Sequence, residues 1–200
     1  MVKQLTGLVV CGGYSSRMGQ DKSLLDYHGI AQRYHIYHLL EAFCDNVLIS
    51  CNPSQAESIE PAYAFLADDE KYGDSGPIAA LLTAFDAYPA NTFLMVGCDY
   101  PFIKREDIQQ LVDGRNENDG VISFFNSAAG LYEPLLAIYE NKIGGSIFEC
   151  FKHVQFSLQD ILKDSMAHKI RPNDMRTIKS VDTPEDYFVA INEMKQERNY

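Results

Sequence analysis

Residues 5–22 read LTGLVVCGGYSSRMGQDK. Leu5–Val10 is a short apolar run that stops at a glycine pair, the pattern of a buried strand handing the chain to a loop. The adjacent Gly12 and Gly13 let the backbone approach a flat base or a phosphate closely. Arg17 offers a planar fork suited to phosphate oxygens, and Lys22 a compact point charge. Gly19 lets the loop turn between them. The two common phosphate loops fail on spacing. A Walker A loop needs G-x-x-x-x-G-K-[ST], but Lys22 follows Asp21 and neither Gly12 nor Gly13 has a glycine five residues on. A dinucleotide clamp needs G-x-G-x-x-G, which Gly12-Gly13-Tyr14 does not supply.

Outward from this loop the chain alternates strand-like and helix-like segments. Ala31–Phe43 places Ile36, Leu39, Leu40 and Phe43 at helical spacing. Strands are expected at 46–50, 63–67, 92–97, 121–125 and 135–139. Pro77 stands at the first position of a helix whose apolar face is Ile78, Leu81, Leu82 and Phe85. Further helices are expected over 104–111 and 141–152. Ser157 opens another with an S-x-x-D start, and Thr183-Pro184-Glu185-Asp186 begins the last with a cap, an N1 proline and two acids. This alternation implies βαβ units, and so a single-domain, three-layer α/β/α architecture over residues 1–200 with a mostly parallel, Rossmann-like sheet. Ligands of such sheets bind beyond the carboxyl ends of the strands. Residues 11–22, Asp68/Asp69 and Asp99 all fall at such ends.

The 200 residues are 46% hydrophobic, enough to bury a core, and carry a formal charge of −11. That balance argues against nucleic acid or an anionic membrane as partner, both of which need basic patches. A local cluster such as Arg17/Lys22 still suits a small anion. The five cysteines are odd in number with no C-x-x-C spacing, and Cys11 and Cys98 end apolar runs as small buried hydrophobes do. Neither a zinc site nor a disulfide framework is expected. A short apolar start and the absence of a membrane-length run point to a soluble, cytoplasmic protein.

VVCGGYSSRMGQDKSLL resembles the L-x-G-G-x-S-x-R-M-G-x-D-K-x-x-L signature of the MobA-like nucleotidyltransferases. DDEKYGDSGPIAALLTAF, MVGCDYPFI, GLYEPLLAIY and SVDTPEDY resemble, in order, further elements of that family and extend the likeness over nearly the whole chain. Five positions in three of these motifs depart from it. Val10-Cys11 replaces the usual Leu-Ala, Ala80 stands where a second glycine is common, and Ser180 and Asp182 replace two asparagines.

The resemblance implies transfer of a nucleoside monophosphate from a nucleoside triphosphate to a phosphorylated acceptor, with release of pyrophosphate. In the members this chain resembles most, GTP is the donor and molybdenum-loaded molybdopterin the acceptor. Cytidylyl transfer to the same cofactor, sugar-phosphate nucleotidyl transfer and a nucleotide-binding module without turnover are the alternatives. The implied catalytic residues are Lys22, Arg17 and Asp99, with Asp99 holding Mg²⁺. The implied nucleotide contacts are Val10, Cys11, Gly12, Gly13, Lys22, Ser50, Asn52, Asp69 and Asp99. Glu133 and Asp182 are implied on the acceptor side. Molybdoenzymes or other cofactor-biosynthesis proteins are the implied protein partners. As a bare run D-D-E-K reads as a solvated loop, and a helix cap or an Asx turn before Pro101 is the lesser alternative for Asp99. His35 and His38, one helical turn apart, read as residues flanking the apolar face.

Overall fold

The computed structural model describes residues 5–11, 18–73, 75–116 and 118–198. Gly12, Gly13 and Arg17 therefore lie outside the described residues. Seven strands form one sheet: β1 (Leu5–Val10), β2 (Asn46–Cys51), β3 (Phe65–Ala67), β4 (Thr92–Gly97), β5 (Val121–Asn126), β6 (Leu131–Tyr139) and β7 (His168–Ile170). Their order is β3-β2-β1-β4-β6-β5-β7. Only β6 runs against its neighbours, β4 and β5; every other pairing is parallel. The central strands are apolar on both faces, as a sheet covered on both sides requires, and β1 and β4 are buried at every position.

The helices are α1 (Gln32–Glu41), α2 (Pro53–Ala56), α3 (Pro77–Ala87), α4 (Arg105–Asp113), α5 (Gly144–Lys152), α6 (Leu158–Asp164) and α7 (Pro184–Arg198). One face of the sheet packs Val9, Ile49, Leu94, Val96 and Ile138 against Ile36 and Leu40 of α1 and Ile108 and Leu111 of α4. The other packs Leu8, Phe93, Met95 and Tyr139 against α3, α5 and α6. Phe85 of α3 meets Phe93 edge-on, with ring centroids 5.0 Å apart. Full burial of Ile78, Leu81, Leu82 and Phe85 stabilises by about 1.5–3 kcal/mol each. A third, smaller cluster joins Met18, Leu25 and Tyr27 to Phe102 and to Val181, Ala190 and Met194 around α7. This cluster fastens the far leg of the first loop to the end of the chain.

Three elements differ from the pattern in the sequence. β7 is only three residues long and α2 only four, too short for either period to register. β6 starts at Leu131 rather than Leu135, and it carries a bulge. Ser123 pairs with Ala137 but Phe125 with Tyr132, so five steps of β6 oppose two of β5. The odd excess of three reverses the alternation of faces, putting Tyr132 and Ala137 in the same core cluster. Pro134, which has no N–H to donate to a ladder, sits inside the bulge.

At the opposite end of the sheet from the first loop, Glu140 is fully buried. It accepts from Arg115 Nε at 2.5 Å, from Arg115 Nη2 at 3.1 Å and from Thr92 Oγ1 at 2.9 Å. Removing the cation strands a buried carboxylate. Arg115→Met is therefore expected to destabilise the protein by about 3–5 kcal/mol in urea unfolding, while Glu140→Gln costs less because the amide keeps an acceptor.

Candidate active site

The hydrogen-bond ladder runs on past the ends of β1, β2 and β4. Cys11 N donates to Ser50 O and Cys98 N to Val10 O, each at 3.0 Å. The next residue along β4 is Asp99, whose carbonyl accepts from Val181 N at 2.8 Å. That one bond draws the segment before α7 to the sheet centre and places Asp182 there. The Asp182 carboxylate pairs with Lys22 Nζ and accepts from Ser180 Oγ at 3.2 Å. Its backbone is held by Asp186, which accepts from Asp182 N, Thr183 N and Thr183 Oγ1. Lys22 opens a turn of 3-10 helix capped by Asp21. Asp21 in turn accepts from Gln55 Nε2 at 2.8 Å, which ties the loop to α2.

Lys22, Asp99 and Asp182 thus form one electrostatic group. Burial pushes the Asp99 carboxyl up to about 6, the Lys22 ammonium pulls it down, and Asp182 pushes it up again. Asp99 Oδ1 is buried with no hydrogen-bond partner among the described residues. Gly97 makes room for it: a Cβ on Gly97 would lie 2.5 Å from Asp99 Oδ1 and 3.0 Å from Leu135 Cδ1. No side chain fits at position 97 unless the carboxylate moves.

A cavity of about 600 Å³ opens beside this group, lined among others by Val10, Ser50, Cys51, Asn52, Asp68 and Ala79. That is the size of a nucleotide pocket. The amino end of α3 faces it through Gly76, Pro77, Ala79 and Ala80. Gly76 holds φ at 72°, a left-handed value that suits glycine. The side chains on the cavity wall do different jobs. Ser50 Oγ donates to Asp68 Oδ1 at 3.0 Å. Burial pushes Asp68 up to about 6, and the Ser50 hydroxyl holds it lower than burial alone would.

Asp69 lines the cavity too, but its carboxylate caps the turn that follows and pairs with Lys71 at 3.1 Å, exposed to solvent. Its neighbour Asp68 is the half-buried acid of the pair. The Asn52 side chain is engaged as the cap of α2, accepting from Gln55 N and Ser54 Oγ. Glu133, set by the β6 bulge, accepts from Tyr100 Oη at 2.9 Å, and burial raises its carboxyl.

The structure therefore brings Val10, Cys11, Lys22, Ser50, Asp99 and Asp182 to one edge of the sheet. Asp182 sits against Lys22. Gly97 is a functional candidate that sequence reasoning passed over, and Asp68, placed by it at a strand end, is one that it left out of the nucleotide contacts in favour of Asp69. Their signals were a strand ending in glycine before Cys-Asp, and the first rather than the second acid after β3. His35 stacks on His28 with centroids 3.7 Å apart, and His38 contacts Glu41 and Tyr63. Among the described residues no group of three or more His, Cys, Asp or Glu is placed to hold a metal. Among them, too, no helix is long and apolar enough to cross a membrane.

A mostly parallel sheet with a nucleotide-sized cavity at its carboxyl edge and, at the same strand ends, a lysine paired with Asp182 near buried Asp99 defines an α/β enzyme of the nucleotidyltransferase type. The chain belongs to the MobA-like NTP transferase domain family, which matches residues 7–169. A "Molybdenum cofactor biosynthesis bifunctional protein" of Synechocystis sp. is 29% identical over 184 residues, covering 92% of this chain but 52% of that protein. The chain thus spans about half the length of that relative. A "Probable molybdenum cofactor guanylyltransferase" of Bacillus mycoides is 24% identical, covering 98% of this chain and 100% of its own. The fold matches molybdopterin-guanine dinucleotide biosynthesis protein A from Archaeoglobus fulgidus with a TM-score of 0.79 at 18% identity, over 96% of this chain and 99% of that one.

Asp68 gives a pH test. Its folded-state carboxyl titrates near 6 against 3.8 unfolded, so the folded protein binds the extra proton. Stability from this group is present at low pH and lost as pH rises from about 4 to about 6. Asp68→Asn is expected to gain thermal stability over wild type across that window, by about 1–2 kcal/mol, with the difference flat above pH 7. A melting series at pH 4, 5, 6 and 8 reads it; a difference that does not change with pH contradicts the assignment.

Proposed function

We propose that the protein transfers GMP from GTP to the terminal phosphate of molybdenum-loaded molybdopterin, giving the guanine dinucleotide form of the cofactor and pyrophosphate. The observation that carries this is the Lys22–Asp182 pair, with buried Asp99 in its field, at the same strand ends as a nucleotide-sized cavity lined by Val10, Ser50 and Asp68. The likeness to molybdenum cofactor guanylyltransferases over nearly the full length of both chains supports the choice of donor and acceptor.

The acceptor is a phosphate monoester, already ionised near neutral pH, so its oxygen needs no general base. One P–O bond forms at the α-phosphorus of GTP as the α–β bridging bond breaks, and pyrophosphate leaves with the electron pair. Positioning and charge neutralisation carry such a reaction. Lys22, and Arg17 from the glycine loop, neutralise the triphosphate and the leaving pyrophosphate. Val10–Gly13 present backbone groups to the base. Ser50 holds Asp68 where an acid can accept from the guanine edge or the ribose, with Asn52 and Asp69 on the cavity rim.

Mg²⁺ fits the donor set. Asp99 Oδ1 is a buried oxygen without a partner, and Asp182 supplies a second hard oxygen near it. Asp99 and Asp182 would hold the ion, which would supply positive charge to offset that of the phosphates. Lys22 would then exchange its contact with Asp182 for the phosphates. Glu133, fixed by Tyr100, would face the acceptor.

Incubation with Mg²⁺, labelled GTP, CTP or ATP and molybdenum-loaded molybdopterin is expected to release pyrophosphate and dinucleotide with GTP alone. A preference for CTP overturns the guanine assignment, and nucleotide binding without product overturns turnover. Lys22→Ala and Asp99→Asn are expected to lower kcat/KM by about 10²-fold or more with unchanged circular dichroism. Gly97→Ala, acting only through the position of Asp99, is expected to lower turnover while GTP binding persists.

A further inference from the structure

Three cysteines stand in a row across the centre of the sheet. Val10 is register-matched to Ser50 on β2 and to Gly97 on β4. The residues one step on are Cys51, Cys11 and Cys98, and the ladder continues through them, with Cys11 N bonded to Ser50 O and Cys98 N to Val10 O. All three are buried in the same core cluster, so their side chains lie on one face of the sheet. Burial, and then the Cys11 thiol beside it, push the Cys98 thiol up. Cys11 precedes the glycine pair of the donor loop, and Cys98 precedes Asp99. A thiol pair therefore bridges the two chain segments that the proposed chemistry needs in register.

We propose that Cys11 and Cys98 form a reversible intramolecular disulfide when the protein meets a peroxide, and that this bond switches off nucleotidyl transfer. Neighbouring strands lie about 4.8 Å apart, inside the roughly 4.4–6.8 Å Cα range of a disulfide. The same spacing puts the two Cβ atoms farther apart than the ~3.8 Å of a relaxed bridge. Closing the bond draws the ends of β1 and β4 together, shifting Asp99 on one side and the glycine loop on the other. A bridge formed against this geometry is readily reduced.

The chemistry balances with one hydrogen peroxide. The sulfur of one thiol attacks a peroxide oxygen, the O–O bond breaks, and water leaves with the thiol proton, giving a sulfenic acid. The second sulfur attacks the first, the S–O bond breaks, and a second water leaves. Two thiols are oxidised by two electrons, one peroxide becomes two waters, and the chain loses about 2 Da.

The cross-link stands on the thiol geometry alone; its effect on turnover rests on the function proposed above. The full chain is treated with hydrogen peroxide, quenched, and read by non-reducing intact mass, peptide mapping and the GTP assay. The expected result is a monomer lighter by about 2 Da with Cys11 joined to Cys98, turnover at least tenfold lower, and both reversed by dithiothreitol. Cys98→Ala is expected to show no such bridge and to keep its own untreated rate after peroxide. If that variant does not fold, Cys98→Ser and the wild-type map decide. A Cys11–Cys51 bridge, oxygen adducts without a bridge, or no change in mass overturns the proposal. A Cys11–Cys98 bridge in a protein that never transfers GMP leaves the disulfide standing and overturns only the functional reading.

Discussion

The parallel pairing of β1 with β4, continued past the last assigned residue of each strand, is the constraint on which the rest of the site depends. Six register pairs lock Leu5–Val10 against Thr92–Gly97. The bond from Cys98 N to Val10 O carries the register one step further, so that Asp99 emerges level with the start of the glycine loop. Both strands are buried along their whole length, and a slip by one residue would turn every side chain to the other face. The position of Asp99 is therefore set by the hydrophobic core rather than by its own contacts. A carboxylate with an unpartnered buried oxygen is costly to keep, and it persists here because the ladder over-determines it.

From Asp99 the order passes to the end of the chain. The bond from Val181 N to the Asp99 carbonyl, and the packing of Val181, Ala190 and Met194 on Met18, Leu25 and Tyr27, make α7 the clasp that holds the first loop to the sheet. The same clasp delivers Asp182 to Lys22. In the ligand-free protein the cation of the loop is thus neutralised in place, within a chain of net charge −11.

The antiparallel β6 is what separates this sheet from a plain doubly wound one. It enters beside β4 from the opposite direction, so its first residues, not its last, reach the active edge. The bulge around Pro134 then turns Glu133 toward Tyr100 while Tyr132 stays in the core on the other face. Strict alternation continued from Ala137 would turn both side chains the other way, and the odd excess of the bulge is what sets them as they are.

By itself the sequence determined the alternating architecture, the central strands to within a residue or two, the amino ends of α3 and α7, and the family. Each of these rests on local signals: apolar period, proline at the first helical turn, capping residues, and the spacing of glycines and cations in CGGYSSRMGQDK. It also singled out Lys22, Asp99 and Ser50, whose places follow from strand ends. Only the tertiary structure decided the rest. Which of Asp68 and Asp69 is the buried acid depends on how β3 ends against β2 and α3, and no local period records that. That Asn52 is engaged as a helix cap depends on a four-residue helix too short to read. That Asp182 faces Lys22, 160 residues away, depends on one backbone bond to Asp99. Gly97 looked like any strand-end glycine until the space beside Asp99 showed why no Cβ fits. The row of Cys51, Cys11 and Cys98 is invisible along the chain, because only register across parallel strands brings together residues so far apart in sequence.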